Sequence, residues 1–285
     1  DAVTSLHVGH PEDPKTQMGP MIAPPEGKLL EGLTQLERGE KWLVEPSQLD
    51  DTGKLWSPAV KYHVRPNSKS HRTEYFGPIL AVMTAPNLEA AIALQNSVDY
   101  GLTSGIHSLD QSEIKTWLAN VQAGNLYVNR GITGAIVQRQ PFGGWKRSSV
   151  GPSTKAGGPN YIISLTGWST APATSVEEIK NQRVTELLAS SATSQLDEAT
   201  LESLVRGAKS DQQALREVFQ SSTDPSALDS ERNVLRYFRS DCILRIEESA
   251  TEAAALRAVS TQLLLGSGLV TAQSLPDSVL AVLKK

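Results

Sequence analysis

Two segments carry residue types that can bind a ligand, and each lies beside an apolar run typical of a strand. The first, TEYFGP at 73–78, places an acidic side chain, two aromatic side chains and a Gly-Pro turn directly before the apolar run 79–83. Loops at strand ends are where ligands bind in open α/β sheets. Glu74 can accept hydrogen bonds from two neighbouring hydroxyls, and Phe76 can pack against a flat ring. A capped, hydrophobic start of a strand is the alternative interpretation.

The second segment is the glycine-rich loop 129–144, which follows the run GNLYVN at 124–129 and ends in a Phe-Gly-Gly turn. Consecutive backbone N–H groups at Gly134 and Ala135 can form a small anion-binding site. Loops of this length are usually functional, although an ordinary long connection also explains it. We therefore interpret both segments as candidate binding loops.

Other residues offer weaker candidates for catalysis or metal binding. Cys242 is the single cysteine, and it begins an apolar run where no base or cation is at hand to activate a thiolate. His7 and His10 lack the companion ligands that a structural zinc site needs. Neither of the usual glycine-rich phosphate-binding motifs is present. We therefore expect Cys242 to be an inert buried thiol, and we assign neither a catalytic residue nor a metal site.

Composition excludes several classes of protein. The 285 residues carry a net charge of −4, with 39% hydrophobic and 20% charged residues, which is ordinary for a soluble globular protein. Without a long basic run, binding to nucleic acid is not expected. The sequence contains no apolar window of about 18 residues, so a transmembrane segment is not expected. One cysteine rules out a disulfide framework and favours a cytoplasmic location.

Apolar spacing predicts alternating strands and helices in the first part of the chain. We expect a helix after Pro24-Pro25, a buried strand at 79–83 and a helix at 88–96. A strand at 102–108 and one at 124–129 then flank a helix at 111–121, which Asp110 can cap. This alternation is typical of an α/β fold with a parallel sheet and flanking helices.

Composition changes near residue 167. Residues 1–167 hold 18 of the 21 glycines, and TGWSTAPATS at 166–175 is typical of a linker. We therefore predict two domains, 1–167 and 168–285. The second is expected to contain three helices, at 176–189, 196–206 and 212–219. These precede a strand at 242–246, a helix at 250–265, a strand at 269–272 and a helix from 279. One βαβ unit leaves a sheet edge unpaired, so we expect an incomplete Rossmann-like domain.

Several motifs resemble those of the aldehyde dehydrogenase superfamily. EYFGP at 74–78 resembles its E-x-F-G-P motif, and QPFGG at 140–144 resembles its P-F-G-G motif. The loop GNLYVNRGITGAIVQRQPFGGWKRS at 124–148 and KAGGPNY at 155–161 are similar to glutamate γ-semialdehyde (1-pyrroline-5-carboxylate) dehydrogenases. Within that group they look most like the dehydrogenase part of the bifunctional proline utilization A enzymes. ERNVLRYFRSDCILRI at 231–246 is similar to the extra C-terminal aldehyde-dehydrogenase-like domain of longer versions.

The resemblance implies NAD-dependent oxidation of L-glutamate γ-semialdehyde to L-glutamate in proline catabolism. It implies that Glu74 holds the nicotinamide ribose hydroxyls and that Phe76 positions the nicotinamide. It further implies that the Gly134 and Ala135 N–H groups bind the substrate's α-carboxylate and that Phe142 walls the aldehyde pocket. Tyr161–Leu165 is expected to be part of a strand that pairs with another subunit or with the added domain. The partners implied are a small-molecule substrate and a second copy of the protein.

The departures from the family pattern are as informative as the matches. The family's nucleophilic cysteine lies upstream of its E-x-F-G-P motif, and residues 1–73 contain no cysteine. Its general base, its nucleotide-binding half and the FAD-containing proline dehydrogenase part also find no match here. We therefore expect a C-terminal fragment that is inactive alone. Two alternatives remain open: a non-catalytic interaction or oligomerisation module, and an aldehyde dehydrogenase with a relaxed substrate range.

Overall fold

The computed structural model describes residues 1–136, 139–149, 154–169, 177–239, 242–245, 247, 249–266, 269–271 and 277–283. The chain divides into two compact units, Asp1–Tyr161 and Ile162–Lys285. The domain boundary that composition predicts after residue 167 stays a prediction. Among the described residues, no helix is both long and apolar enough to cross a bilayer.

The first unit is a mixed α/β structure, as the sequence predicts. Its helices and strands alternate along the chain, and their order is α1 Gly27–Thr34, β1 Lys41–Val44, β2 Ala59–Tyr62, α2 Lys69–Arg72, β3 Ile79–Ala81, α3 Leu88–Asn96, β4 Tyr100–Gly101, β5 Thr103–Ile106, α4 Gln111–Asn120, β6 Asn125–Val128 and β7 Trp145–Lys146.

The 74–78 loop leads from α2 into β3, the last strand of a three-stranded sheet. Strand β2 is its centre, antiparallel to β1 and parallel to β3. All residues of β2 except the last are buried, and both edges of the strand are paired. The prediction of a buried strand at 79–83 is wrong in one respect. Strand β3 is an edge strand among the described residues, and Leu80 is 54% exposed.

Strands β5 and β6 run parallel and are joined by helix α4, which confirms the predicted βαβ pattern. The Asp110 side chain accepts a hydrogen bond from the Ser112 N–H and so begins α4, as expected of an N-cap. A small core of Ile92, Trp117, Val121 and Ala123 packs α3 and α4 together. The 129–144 loop starts where β6 ends, so this core sets the direction in which the loop leaves the sheet.

Short antiparallel contacts close the 129–144 loop. Strand β7 pairs with β4, and Phe142 forms an isolated bridge with Ala156. The sequence predicts one parallel sheet, whereas the structure contains several small sheets of two or three strands. Two of the strand pairs, β1 with β2 and β4 with β7, are antiparallel.

The single chain forms a 3₁₀ helix at Tyr161–Leu165, and the strand expected there in a pairing with another subunit or with the added domain stays a prediction. A strand needs a neighbour to satisfy its backbone N–H and C=O groups, and no described strand pairs with this segment. Two side chains bond back to the Ile163 carbonyl instead, the hydroxyl of Thr166 and the indole N–H of Trp168. These local hydrogen bonds favour a helical turn.

The second unit is helical at its start and ends in a parallel βαβ unit, as predicted. Its elements are α5 Gln182–Leu188, α6 Glu198–Ala214, a π-helical turn Leu215–Phe219, β8 Cys242–Leu244, α7 Glu252–Leu265, β9 Leu269–Thr271 and α8 Asp277–Leu283. Its core brings the four helices together around Leu187, Leu204, Val259 and Val279. The predicted strand residue 272 lies outside the described residues, as do residue 176 of the predicted first helix and 246 of the other predicted strand.

Two helix predictions in this unit are corrected. The region predicted as separate helices at 196–206 and 212–219 is continuous through α6, with Gly207 in its middle. The Gly207 carbonyl accepts a hydrogen bond from Arg257 Nη2 at 3.2 Å, and a side chain at 207 would collide with Arg257. Glycine at this position therefore makes room for Arg257 and does not end the helix. Helix α5 begins later than predicted, because Asn181 caps it.

Candidate active site

Burial alternates along the 74–78 loop. Tyr75 is 8% exposed, and its hydroxyl lies 3.3 Å from Ser70 Oγ. Glu74 and Phe76 point the other way, since Glu74 is exposed and Phe76 is 83% exposed. The buried tyrosine therefore anchors the loop, and the two predicted binding residues present their side chains to solvent.

The backbone of this loop is held on both sides of Phe76. Lys28 Nζ donates a hydrogen bond to the Glu74 carbonyl at 2.6 Å. Phe76 has a φ of +58°, a left-handed conformation that large side chains seldom adopt. At Gly77, an added Cβ would lie 2.3 Å from Leu29 Cδ1, so the chain passes close to α1 there. Strained backbone of this kind clusters at ligand-binding sites.

An open cleft of about 790 Å³ brings Glu74 together with the start of the 129–144 loop. Its walls include residues 71–74, strands β4 and β5, and residues 130–132. Arg130 lies over the Tyr127 ring, with its guanidinium carbon 5.3 Å from the ring centre. Glu74 also lines a smaller adjoining cavity of about 320 Å³, together with Phe76. The cleft therefore contains both an acidic and a basic side chain.

The backbone around Gly134 is suited to binding an anion. The Tyr127 hydroxyl donates to the Gly134 carbonyl at 3.3 Å, and Gly134 has a φ of +77°. The N–H groups of Gly134 and Ala135 donate to no described residue. Two neighbouring N–H groups without an acceptor in the described part of the chain can donate two hydrogen bonds to a ligand.

The structure brings only part of the predicted site into one cavity. Glu74 and residues 130–132 share the large cleft, and Glu74 and Phe76 share the smaller cavity. Gly134, Ala135 and Phe142 do not line either cavity; Gly134 and Ala135 lie two and three positions after Ile132, which lines the large cleft. Phe142 is 37% exposed and is fixed by two hydrogen bonds with Ala156, N–H to carbonyl in each direction at 3.0 and 2.8 Å.

Three supporting residues escaped the sequence analysis: Lys28, Tyr127 and Lys155. Lys28 and Tyr127 hold the carbonyls of Glu74 and Gly134, as described above. Lys155 Nζ donates to the Gly143 carbonyl at 2.8 Å, and burial lowers the pKa of this ammonium from 10.5 to about 8. Tyr127 and Lys155 had a signal in the sequence, because they lie in the segments 124–148 and 155–161 that resemble the family, whereas Lys28 had none.

A comparison with protein families agrees with these loops. The model described as the aldehyde dehydrogenase family matches residues 1–170, which include both candidate loops. The chain belongs to the aldehyde dehydrogenase family. The resemblance inferred from the two motifs is thereby confirmed, and the mixed α/β fold predicted from it is the fold observed.

Curated relatives of this aldehyde dehydrogenase are named 1-pyrroline-5-carboxylate dehydrogenases. The protein of Bacillus subtilis is 36% identical over 160 residues, which are 56% of this chain and 31% of that protein. The protein of Geobacillus sp. is 37% identical over 159 residues, which are 55% of this chain and 30% of that protein. The chain therefore spans about a third of the length of the curated relatives it matches.

Solved structures extend the similarity to both units. A proline utilization A structure from Corynebacterium freiburgense is 42% identical with a TM-score of 0.85. The match covers 96% of this chain and 27% of that one. A 1-pyrroline-5-carboxylate dehydrogenase from Thermus, solved with bound NAD, is 30% identical with a TM-score of 0.50; the match covers 57% of this chain and 31% of that one. The first similarity therefore includes the second unit, which the family model does not match beyond residue 170.

Proposed function

We propose that this aldehyde dehydrogenase chain supplies the cofactor- and substrate-anchoring half of an NAD-dependent L-glutamate γ-semialdehyde dehydrogenase. The observation that carries the proposal is the cleft shared by Glu74 and residues 130–132. The names of the relatives support the choice of substrate, and the Thermus structure with bound NAD supports the choice of cofactor.

The 74–78 loop fits a nicotinamide nucleotide. The exposed Glu74 carboxylate can accept hydrogen bonds from both hydroxyls of a ribose, and such charge-assisted bonds are about twice as strong as neutral ones. The Phe76 ring is exposed, so its face is free to lie against a flat ring. When bound, NAD takes up the two electrons that the aldehyde loses on oxidation. Phe76 and Glu74 orient the cofactor for that transfer.

The 129–144 loop is proposed to bind the substrate's amino-acid end. The Gly134 and Ala135 N–H groups donate to the α-carboxylate, and their fixed distance from the aldehyde selects for chain length. Because backbone donors are neutral, the site binds a carboxylate without a lysine or arginine. Phe142 lies against the aldehyde end and keeps water from it.

The nucleophile is proposed to come from outside residues 1–285. The one cysteine, Cys242, begins β8 in the second unit, far along the chain from both binding loops. We therefore expect the 285-residue chain to bind NAD weakly and to turn over no substrate by itself. FAD is proposed only for the proline dehydrogenase part of a bifunctional relative.

NADH formation tests the proposed function. Glutamate γ-semialdehyde and pentanal would be compared in a polypeptide where the family's cysteine-bearing region precedes this chain. We expect kcat/KM to favour the semialdehyde by about 100-fold, because pentanal leaves the carboxylate donors unpaired. Equal kcat/KM values would refute the substrate assignment. The 285-residue chain alone is the control, and turnover by it would refute the proposal about the nucleophile.

An interaction module is the second candidate, and a specific observation favours it. Ile162, Leu165 and Trp168 are 63%, 75% and 75% exposed within a short apolar stretch. Exposed apolar clusters often mark protein–protein contacts. We propose that this stretch joins two copies of the protein. Sedimentation of the Ile162→Lys/Leu165→Lys variant should then show a smaller assembly than the unchanged chain, and equal masses would contradict the assignment.

A further inference from the structure

The ammonium of Lys155 donates three hydrogen bonds, all to acceptors in one small region of the first unit. Its Nζ donates to the carbonyl of Gly124 at 2.6 Å, to the carbonyl of Gly143 at 2.8 Å and to Asn125 Oδ1 at 3.1 Å. Gly143 belongs to the aromatic turn, which we define as residues 141–144. The other two partners lie at the beginning of β6. Lys155 therefore ties the aromatic turn to the strand that leads into the 129–144 loop.

Close packing surrounds these three hydrogen bonds. A Cβ added at Gly124 would lie 1.8 Å from the Gly143 oxygen, so the two backbones touch. Asn125 also bonds the turn directly, donating from Nδ2 to the Pro141 carbonyl at 3.1 Å and accepting from the Gly143 N–H at 3.3 Å. The aromatic turn is therefore held on either side of Phe142.

The ammonium is placed for binding carbonyls and not for pairing with an acid. No acidic side chain faces Lys155 among the described residues, and the partners that face it are all uncharged. Burial alone lowers the pKa of Lys155 to about 8. A charge kept in such surroundings costs free energy, which the three acceptors offset.

We propose that Lys155 is a positioning residue for the aldehyde pocket, because its ammonium fixes the aromatic turn on β6 and so sets where Phe142 lies. This inference rests on the proposed function, in which Phe142 walls that pocket. Lys155 acts through the carbonyl of Gly143, the residue after Phe142. Ala156, the residue after Lys155, holds Phe142 itself through their two backbone hydrogen bonds.

Hydrogen–deuterium exchange on the 285-residue chain tests the structural half of the inference. Lys155→Met removes the donors and keeps most of the side-chain volume. We expect the Phe142 and Gly143 N–H groups to exchange about tenfold faster, because hydrogen bonds to a charged group contribute substantially to local stability. The matched control is Lys146→Met, which removes a lysine that bonds the Asn96 and Val98 carbonyls instead. Unchanged exchange at Phe142 in Lys155→Met would overturn the inference.

Kinetics in the longer, cysteine-bearing polypeptide test the functional half. We expect Lys155→Met to raise KM for the semialdehyde about tenfold with little change in KM for NAD. The double variant with Phe142→Ala should be no worse than Phe142→Ala alone, since both changes act through one side chain. Fully additive effects would overturn the inference.

Two further outcomes separate this inference from the proposed function. If Phe142→Ala leaves KM for the semialdehyde unchanged, the proposed pocket is wrong, and the inference falls with it. If Phe142→Ala raises KM and Lys155→Met does not, only the inference falls. Should Lys155→Met fail to fold, Lys155→Arg keeps the charge, but its planar guanidinium cannot match three converging acceptors. It is then expected to raise KM for the semialdehyde, and an unchanged KM would overturn the inference.

Discussion

Lys61 and Glu40 form an ion pair almost completely removed from water, with Lys61 Nζ 3.6 Å from Glu40 Oε2. The exposed fractions of the two side chains are 2% and 0%. Lys61 Nζ also donates to the Gln35 carbonyl at 2.7 Å and lies 5.6 Å from the centre of the Tyr75 ring. The pair therefore lies beneath the 74–78 loop and next to the residue that anchors it.

Replacing only one partner of this ion pair should destabilise the fold. Lys61→Met leaves the buried Glu40 carboxylate without its cation, and we expect the free energy of unfolding to fall by about 3–5 kcal/mol. Among the described residues, Glu40 Oε1 has no hydrogen-bond partner and Oε2 keeps only the Glu37 N–H at 3.0 Å, which does not replace a cation. Urea denaturation measures the change. The double variant Lys61→Met/Glu40→Leu should recover most of the loss, and a double variant as unstable as Lys61→Met would contradict this account.

Replacing Glu74 should weaken cofactor binding without weakening the fold. In Glu74→Ala, loss of charge-assisted hydrogen bonds to the ribose should raise KM for NAD by about 10- to 100-fold in the cysteine-bearing polypeptide. Thermal unfolding should not change, because the side chain is exposed and Lys28 bonds only the backbone carbonyl. Glu45→Ala, which removes another exposed acid, is the control. A KM for NAD unaltered in Glu74→Ala would rule out the ribose contact.

Ala135→Pro should weaken binding of the substrate's carboxylate without changing the oxidation of an aldehyde that lacks one. Proline lacks the backbone N–H, so one of the two proposed donors disappears. We expect KM for glutamate γ-semialdehyde to rise about tenfold, with pentanal oxidised as before. Ala135→Gly keeps the N–H and should leave both KM values within about twofold. If Ala135→Pro kept the original KM for the semialdehyde, the carboxylate would have to bind elsewhere.

The lowered pKa of Lys155 predicts how stability depends on pH. The folded pKa of about 8 lies below the ordinary value of 10.5, so between them the unfolded chain binds more protons at this site. The free energy of unfolding should therefore rise with pH in this window. Denaturation of the unchanged chain and of Lys155→Met at about pH 7 and about pH 9.5 isolates the contribution of Lys155 to the pH dependence of stability. The stability difference should shift in favour of the unchanged chain at the higher pH; a shift the other way would contradict burial as the cause.

Much of the local structure was predictable from the sequence alone. Helix α3 has the predicted bounds, Asp110 begins α4 as expected, and Gly266 ends α7 with a φ of +62°. Each of these depends on hydrogen bonds or side-chain spacing within a few residues of chain. The short motifs at 74–78 and 140–144 were also sufficient to indicate the family.

Only the tertiary structure decided which residues support the site. Lys155 and Gly124 lie 31 positions apart, and Lys61 reaches a carbonyl 26 positions away, so no local pattern relates them. Buried lysines are stable only where distant carbonyls and carboxylates converge, and that convergence exists only once the chain has folded.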